Sequence, residues 1–237
     1  MPRWFGYLLA FLVAVGIPPF LVLSNLYVFM TPGYIEYEYN KPDFPKAARF
    51  SDAERQTYSI ASLEYVRGNL SFQEFKALGV YNDREIKHME DVHNLVATAM
   101  AFHTNDGAVM LIALIALIWF GKTRALAARS LVAGGILTIV LFGAIGIFAA
   151  GAFDTFFVDF HRMFFEGTSW LFLYTDSLIQ FYPEQFWFDT SLYLAALTVI
   201  EAFIVGFVGL FWLRHLAHAP EPAPVSKPIP SQAARRK

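Results

Sequence analysis

Residues 130–151 read SLVAGGILTIVLFGAIGIFAAG, a stretch of 22 residues that contains no charged side chain. A helix needs about 20 predominantly apolar residues to cross the roughly 30 Å hydrocarbon core of a bilayer. This stretch meets that length and carries no group that lipid would exclude. It therefore predicts a membrane-spanning helix and makes the chain an integral membrane protein.

Three further stretches have the same character, at about 4–30, 95–120 and 191–213. Of the 237 residues, 56% are hydrophobic and only 16% are charged, whereas about 25% are charged in a typical soluble domain. The first stretch is longer than the apolar core of a signal peptide and lacks a following A-x-A-like cleavage site, so we interpret it as an uncleaved anchor. Pro18 and Pro19 are expected to kink it, because proline removes a backbone donor.

The distribution of charge predicts the orientation. The loop 121–129 contains Lys122, Arg124 and Arg129 and no acid, and residues 214–237 contain five basic residues and one acid. Because basic loops favour the cytoplasmic side, both termini and this loop are expected inside the cell. Segments 31–94 and 152–190 are then outside. Residues 1–213 form one transmembrane domain, and the proline-rich segment 214–237 is expected to be a disordered cytoplasmic tail.

The two outer segments differ in character. Segment 31–94 contains three helix-start patterns, Ser51 with Glu54, Ser71 with Glu74, and Asn82 with Glu85. In such patterns the two side chains satisfy each other's free backbone donors. Segment 152–190 is rich in phenylalanine, tryptophan and tyrosine, which concentrate at membrane interfaces. The predicted fold class is thus an all-α integral membrane protein with four transmembrane helices, a helical extracytoplasmic insertion and an aromatic interfacial loop. That loop is either a simple aromatic belt or a lipid-facing binding site.

Two histidines in the outer segments are candidates for chemistry. His88 has Asp91 and Glu85 three residues away on the same helical face, and a carboxylate partner fixes an imidazole tautomer and strengthens it as a base. His161 lies among phenylalanines, where an imidazole can titrate near neutral pH and transfer protons. Either histidine is also compatible with a plain interfacial role and a satisfied hydrogen bond.

Other chemistries have weaker support. The chain has no cysteine and a net charge of −2, which gives no thiolate chemistry and no reason to expect a nucleic-acid partner. A metal site from His88, Asp91 and His161 has no spacing signature, and no G-x-S-x-G motif occurs. Glu201, in the middle of the fourth span, is a functional candidate by its position. It is equally compatible with a protonated carboxyl, or with a bond to Thr198 or a neighbouring helix.

Three longer motifs carry a family resemblance. They are YNDREIKHMEDV at 81–92, FHRMFFEGTSWLF at 160–172, and TDSLI at 175–179 followed by YPEQFW at 182–187. With them, residues 1–213 resemble the lipoprotein intramolecular transacylase family, bacterial membrane proteins with four spans in the same order. The motifs are long and specific.

The resemblance implies an acyltransferase of the bacterial cytoplasmic membrane with its site on the extracytoplasmic face. Its members move the sn-2 acyl chain of a lipoprotein's diacylglyceryl-cysteine onto the cysteine α-amino group, which gives the lyso-form. Diacylglyceryl-modified lipoproteins and membrane phospholipid are the implied partners, and no external acyl donor, nucleotide, metal or other cofactor is expected. The family's two essential histidines fall on His88 and His161, whereas His93 and His103 have no counterpart.

We hypothesise that His88 is the general base, oriented by Asp91 or Glu85, and that His161 is the electrophilic partner, although the two roles could be reversed. Residues expected to shape the pocket or hold the glycerol are Arg162, Trp170, Tyr174 and Glu184. A second hypothesis is a lipid or peptide hydrolase on the same scaffold, with or without zinc. A third is a non-enzymatic membrane sensor or assembly factor, which the polar clusters within the aromatic outer segments disfavour.

Overall fold

The computed structural model describes residues 1–218, and within them the chain forms helices and no strand. Four helices are long and apolar enough to cross a membrane. They are α1 (Arg3–Phe29), α5 (Asp83–Trp119), α6 (Arg124–Gly151) and α9 (Glu184–Ala217). This confirms the predicted all-α membrane fold.

Five shorter helices connect them. They are α2 (Pro32–Tyr39), α3 (Asp52–Val66), α4 (Phe72–Ala77), α7 (Phe153–Phe164) and α8 (Ser177–Phe181), and a 3₁₀ turn (Gly121–Thr123) joins α5 to α6. Helices α3, α4 and α5 begin at Ser51, Ser71 and Asn82, each with the complete capping box that the sequence predicts. The capping pattern therefore locates the starts of the helical insertion correctly.

Three of the long helices extend beyond the predicted spans. Helix α6 begins at Arg124 rather than at residue 130, so most of the predicted loop 121–129 is helical. Helix α5 has 37 residues, about 55 Å at 1.5 Å per residue, and α9 has 34 residues. Hydropathy locates only the apolar part, because the first turns of α5 are charged although nothing interrupts the helix. The tail predicted from residue 214 is still helical to Ala217, and residues 219–237 lie outside the described part of the chain.

The segment 152–190, expected as an aromatic loop, is largely helical. Phe153, Phe156, Phe157, Phe160 and Phe164 recur at intervals of three and four residues along α7, which puts them on neighbouring positions of one helix surface. Phenylalanine spacing of this kind is a helical pattern. This spacing is hard to recognise in the sequence, because aromatic residues are frequent throughout segment 152–190.

The bundle is held together by close contacts between helices at small residues. A Cβ atom placed on Gly135 of α6 would lie 2.8 Å from the Ala202 carbonyl oxygen of α9, and one on Gly209 would lie 2.8 Å from the Ala128 carbonyl oxygen. Similarly, a Cβ on Gly134 would lie 3.0 Å from the Ala14 carbonyl oxygen of α1. Such approaches are typical of membrane helices, which associate by packing rather than by the hydrophobic effect.

Polar side chains inside the bundle bond to one another. Asn25 of α1 donates to Thr198 Oγ1 at 3.0 Å and to Glu201 Oε2 at 2.8 Å, both on α9. Glu201 therefore bonds to a neighbouring helix, one of the roles left open by the sequence. Ser24 and His103 form a second contact at 2.9 Å between α1 and α5. Because no water competes within the bilayer, paired polar groups of this kind stabilise helix association.

The α6–α9 contact yields a stability prediction. Gly135→Ala is expected to destabilise the protein by about 1–3 kcal/mol, because the added methyl group meets backbone atoms that cannot move aside. Gly143→Ala is the matched control, since a Cβ at that position of α6 meets nothing within 4 Å. Thermal unfolding in detergent measures both, and equal unfolding temperatures for the two variants would contradict this account of the packing.

Candidate active site

The candidate site is built around the start of α5, which extends beyond the apolar part of that helix. Asn82 Oδ1 accepts the backbone N–H groups of Arg84 and Glu85, each at 3.1 Å, and Glu85 Oε2 accepts the N–H of Asn82 at 2.8 Å. The second oxygen of Glu85 accepts the backbone N–H of Leu178 in α8 at 2.7 Å. Glu85 is only 1% exposed, so this capping carboxylate also binds α8 to the start of α5.

An apolar cluster supports the same junction. Tyr65 of α3, Phe75 of α4, Met89 of α5 and Leu178 of α8 are buried together. Met89 follows His88 directly, so packing of this cluster fixes the rotation of α5 and with it the direction in which His88 points.

The structure brings His88 and His161 together. Their ring centroids are 6.1 Å apart and the ring planes differ by 24°. Phe165 and Phe172 present their edges to His88 with centroids at 4.8 and 5.3 Å, and Trp170 lies 5.0 Å from His161. Two histidines from distant parts of the sequence thus share one aromatic pocket.

The hydrogen bonds of the two rings differ. His161 Nδ1 lies 2.7 Å from the Phe157 carbonyl oxygen, which can only accept, so Nδ1 carries the proton and Nε2 of the neutral ring is a free acceptor. His88 Nδ1 is buried and has no partner in the described part of the chain, and His88 is 8% exposed. One imidazole is therefore fixed in its tautomer, and the other has an unsatisfied nitrogen inside the pocket.

Burial also sets the charge state of the pair. Desolvation, together with the neighbouring His161, lowers the pKa of His88 to about 4. Desolvation likewise lowers the pKa of His161, against the opposing effect of its bond to Phe157. Because burial disfavours the charged form, both imidazoles are neutral at neutral pH.

The predicted orienting carboxylates do not bond to His88. Asp91 Oδ1 accepts from Lys87 Nζ at 2.7 Å, and both oxygens of Glu85 bind backbone N–H groups. Helical spacing correctly places Asp91 near His88, where its charge acts to raise the pKa of that histidine. Spacing alone does not show that Lys87 competes for the same carboxylate at i, i+4.

The predicted pocket residues divide into two groups. Trp170 is 8% exposed and contacts His161. Arg162, Tyr174 and Glu184 are exposed, and no hydrogen bond, ion pair or ring contact joins their side chains to either histidine. Arg162 lies 3.9 Å from Asp159 on its own helix, and Tyr174 is 86% exposed. The structure brings only Trp170 of this set to the imidazoles.

Asp176, a residue without a role predicted from the sequence, lies at the centre of a network. Asp176 accepts from the Leu173 backbone N–H at 2.8 Å, Asn82 Nδ2 at 3.1 Å and Arg84 at 3.2 Å. It thereby fastens the segment that contains Trp170 and Phe172 to the start of α5. Two sequence signals could have found it, its place in the TDSLI motif at 175–179 and its position just before the apolar residues of α8, a common position for a helix cap.

Among residues 1–218, no three or more histidine, aspartate or glutamate side chains are grouped so that they could hold a metal ion. The zinc-dependent hydrolase hypothesis thus has no ligand set in that part of the chain.

Fold and site together define an all-α integral membrane protein with a histidine pair in an aromatic pocket at one end of its helix bundle. The model of the family described as lipoprotein intramolecular transacylase Lit matches residues 9–187. This chain belongs to that family, and is accordingly a membrane acyltransferase.

Three further proteins or structures are similar to this chain, one by sequence and two by structure. An uncharacterised protein of Aquifex aeolicus (strain VF5) is 28% identical over 214 residues, which are 86% of this chain and 95% of that protein. The structure of the membrane integral lipoprotein intramolecular transacylase Lit from Bacillus cereus superposes with a TM-score of 0.78 at 18% identity, covering 91% of this chain and 99% of that one. A second structure of the Bacillus cereus protein, with one histidine replaced by arginine, gives a TM-score of 0.69 at 18% identity, with 91% and 95% covered.

The buried His88 predicts a pH-dependent stability. An unfolded histidine titrates near pH 6.5, and His88 in the fold titrates near 4, so between these values the unfolded chain binds more protons. Stability therefore falls as pH falls through this window, by at most about 1.4 kcal/mol per pH unit for one group. His88→Phe is expected to remove this component, measured by thermal unfolding between pH 4.5 and 7.5. Parallel curves for the variant and the wild type would contradict it.

The Asp176 network predicts a local change in dynamics. Asp176→Ala leaves Arg84, Asn82 and the Leu173 N–H without their acceptor and is expected to cost about 1–3 kcal/mol. Amide hydrogen exchange should increase at 168–178 more than elsewhere. Asp159→Ala is the control, because Asp159 is exposed and has only the 3.9 Å contact with Arg162. The network is not what holds this segment if both variants exchange like the wild type.

Proposed function

We propose that this protein moves the sn-2 acyl chain from the diacylglyceryl-cysteine of a bacterial lipoprotein to the α-amino group of the same cysteine, which gives the lyso-form. The observation that carries the proposal is the pair of neutral imidazoles 6.1 Å apart in an aromatic pocket. The family match over residues 9–187 supports the reaction class. An amine attacking an ester needs two proton transfers within one small space, and two adjacent imidazoles can perform them.

In this proposal His161 is the general base and His88 the electrophilic partner, the reverse of the first assignment made from the sequence. His161 Nε2 has a free lone pair because Nδ1 is bound to the Phe157 carbonyl. His88, with its pKa lowered to about 4, is a poor acceptor for a proton from an ammonium group. A neutral imidazole N–H can still donate to an oxygen on which charge develops.

The proton balance is as follows. The α-ammonium group has three protons and the amide product keeps one. His161 removes the first, the amine nitrogen attacks the sn-2 carbonyl carbon, and a C–N bond forms. The C–O bond to glycerol then breaks, and the glycerol oxygen leaves with the electron pair. By then His161 has released the first proton to water, so the glycerol oxygen takes the second proton, relayed from the nitrogen through the imidazole pair.

The reaction needs no second acyl donor, because amine and ester belong to one molecule. Well-oriented intramolecular reactions reach effective molarities of about 10⁵ M or more. The role proposed for the aromatic pocket is to bend the lipid headgroup so that nitrogen and carbonyl meet, and to exclude the water that would hydrolyse the ester. Phe165, Phe172 and Trp170 surround the rings and provide the apolar surface for this.

The proposed setting is the bacterial cytoplasmic membrane, with the pocket on its extracytoplasmic face and both termini inside. A Cβ on Gly6 would lie 3.3 Å from Thr123, and Gly209 packs on Ala128. The start of α1 and the end of α9 thus share one end of the bundle with the basic segment 121–129, which favours the cytoplasmic side. Diacylglyceryl lipoproteins held in the outer leaflet, among phospholipids, are the proposed substrates.

Histidine variants test the proposal. His88→Ala and His161→Ala are each expected to lower the rate of N-acylation by about 10²–10⁴-fold, because each removes one proton-transfer group. The measurement is expression in a host without N-acylation, followed by tandem mass spectrometry of a lipoprotein N-terminus. His215→Ala, on an exposed residue at the far end of α9, is the control. Full formation of the lyso-form by either pocket variant would contradict the assignment, and free fatty acid as the main product would favour a hydrolase.

A further inference from the structure

Two buried hydrogen-bond donors beside the histidines have no partner among residues 1–218. Trp170 Nε1 and Ser169 Oγ are both buried and unbonded, and the Trp170 side chain is 8% exposed. Most buried polar groups in folded proteins are hydrogen-bonded, so an unbonded one requires an explanation. His88 Nδ1 is a third such atom in the same pocket. Within residues 1–218, one unsatisfied atom thus belongs to the His88 ring and two belong to the segment that packs against His161, which indicates a site shaped for a polar ligand group.

The local backbone fixes where these donors lie. Gly167 has a φ of +65°, a conformation that residues with a Cβ seldom adopt. The Leu171 N–H bonds to the Thr168 carbonyl oxygen at 3.1 Å, which closes a turn over residues 168–171. This turn brings Trp170 against His161 with ring centroids 5.0 Å apart. Asp176, through the Leu173 N–H, holds the chain just beyond it.

The chemistry of the two donors restricts what they can bind. An indole N–H only donates and does not titrate, so Trp170 cannot move protons. In the reaction proposed above, the sn-2 carbonyl oxygen acquires negative charge when the amine adds to the carbon. Of the two nearby arginines, Arg84 pairs with Asp176, and the side chain of Arg162 is 70% exposed to solvent. An oxyanion in this aromatic pocket therefore needs neutral N–H or O–H donors.

We infer that the Trp170 indole N–H, assisted by the Ser169 hydroxyl, forms the oxyanion-binding site for the sn-2 carbonyl oxygen in the tetrahedral intermediate. This inference rests on the proposed acyl transfer. It gives Trp170 the role of a catalytic residue that contacts the reacting atoms, rather than that of a wall of the pocket. Donors pre-positioned for a charge that exists only in the transition state raise kcat and not ground-state binding.

The test distinguishes the effect of the Trp170 indole N–H on the rate from the effect of the shape of its ring. Site-specific replacement of Trp170 by 3-benzothienylalanine exchanges the N–H for a sulfur atom and keeps the bicyclic outline, and Trp170→Phe is the simpler companion variant. In detergent with a synthetic diacylglyceryl lipopeptide, kcat is expected to fall on the order of 10²-fold. KM should change less than threefold or so, because the donor acts after binding. Trp119→Phe, at an exposed residue at the other end of α5, is the control for tryptophan replacement.

The pH dependence distinguishes donation from a structural role. Loss of a non-titrating donor should lower the rate at every pH and leave both limbs of the profile in place, whereas displaced histidines would shift the limbs. The inference is overturned if the benzothienyl variant keeps a normal kcat, if only KM rises, or if the limbs shift. Wild-type protein that forms no N-acyl product would overturn the proposed function and the inference with it. Normal wild-type product with an unaffected variant overturns the inference alone.

Discussion

The structure of the site depends on one buried carboxylate. Glu85 accepts the Asn82 N–H within its own helix and the Leu178 N–H of α8, so a helix cap also serves as a tertiary contact. Burial raises the pKa of Glu85, and its bonds to the two backbone N–H groups oppose that shift. A bare carboxylate at this depth would be costly, and the oriented N–H groups make its burial tolerable. Through its two bonds, Glu85 couples the rotation of α5 to the position of the segment before α8.

The molecule accordingly has two parts, the bundle of spans that supports the site and the pocket that carries the chemistry. The spans pack through glycine contacts and a few paired polar groups, and they form a rigid support with little chemistry of its own. Asn25 with Glu201 belongs to this support, because both side chains are engaged with each other. The pocket lies at the end of α5 that extends past the apolar segment, where the charged start of α5 meets the aromatic side chains of residues 165–172. Elements from residues 82 to 178 converge there, so the site is long-range in sequence although it is compact in space.

The sequence predicts some of these features well and others poorly, for physical reasons. Apolar length identifies the four spans, and local pairs of side chains identify the caps at Ser51, Ser71 and Asn82, because both signals are contained within a few neighbouring residues. The prediction that His88 and His161 meet came from a family resemblance, since no local pattern relates residues 73 positions apart. The prediction that Asp91 bonds to His88 is wrong, because Lys87 is an equally close and oppositely charged neighbour of Asp91. Asp176 was missed for the related reason that its partners, Asn82 and Arg84, are distant in the chain.

Within residues 1–218 no carboxylate bonds to either imidazole, and this arrangement suits the proposed chemistry. A carboxylate would strengthen a histidine as a base, but it would also place a negative charge beside a carbonyl oxygen that must become negative. In an apolar pocket that repulsion is poorly screened. Asp91, Glu85 and Asp176 are each neutralised or saturated by other partners, which limits the field they exert on the rings. Two neutral imidazoles with N–H and O–H donors nearby can then accept an ammonium proton and stabilise an oxyanion in succession, without any fixed charge that opposes either step.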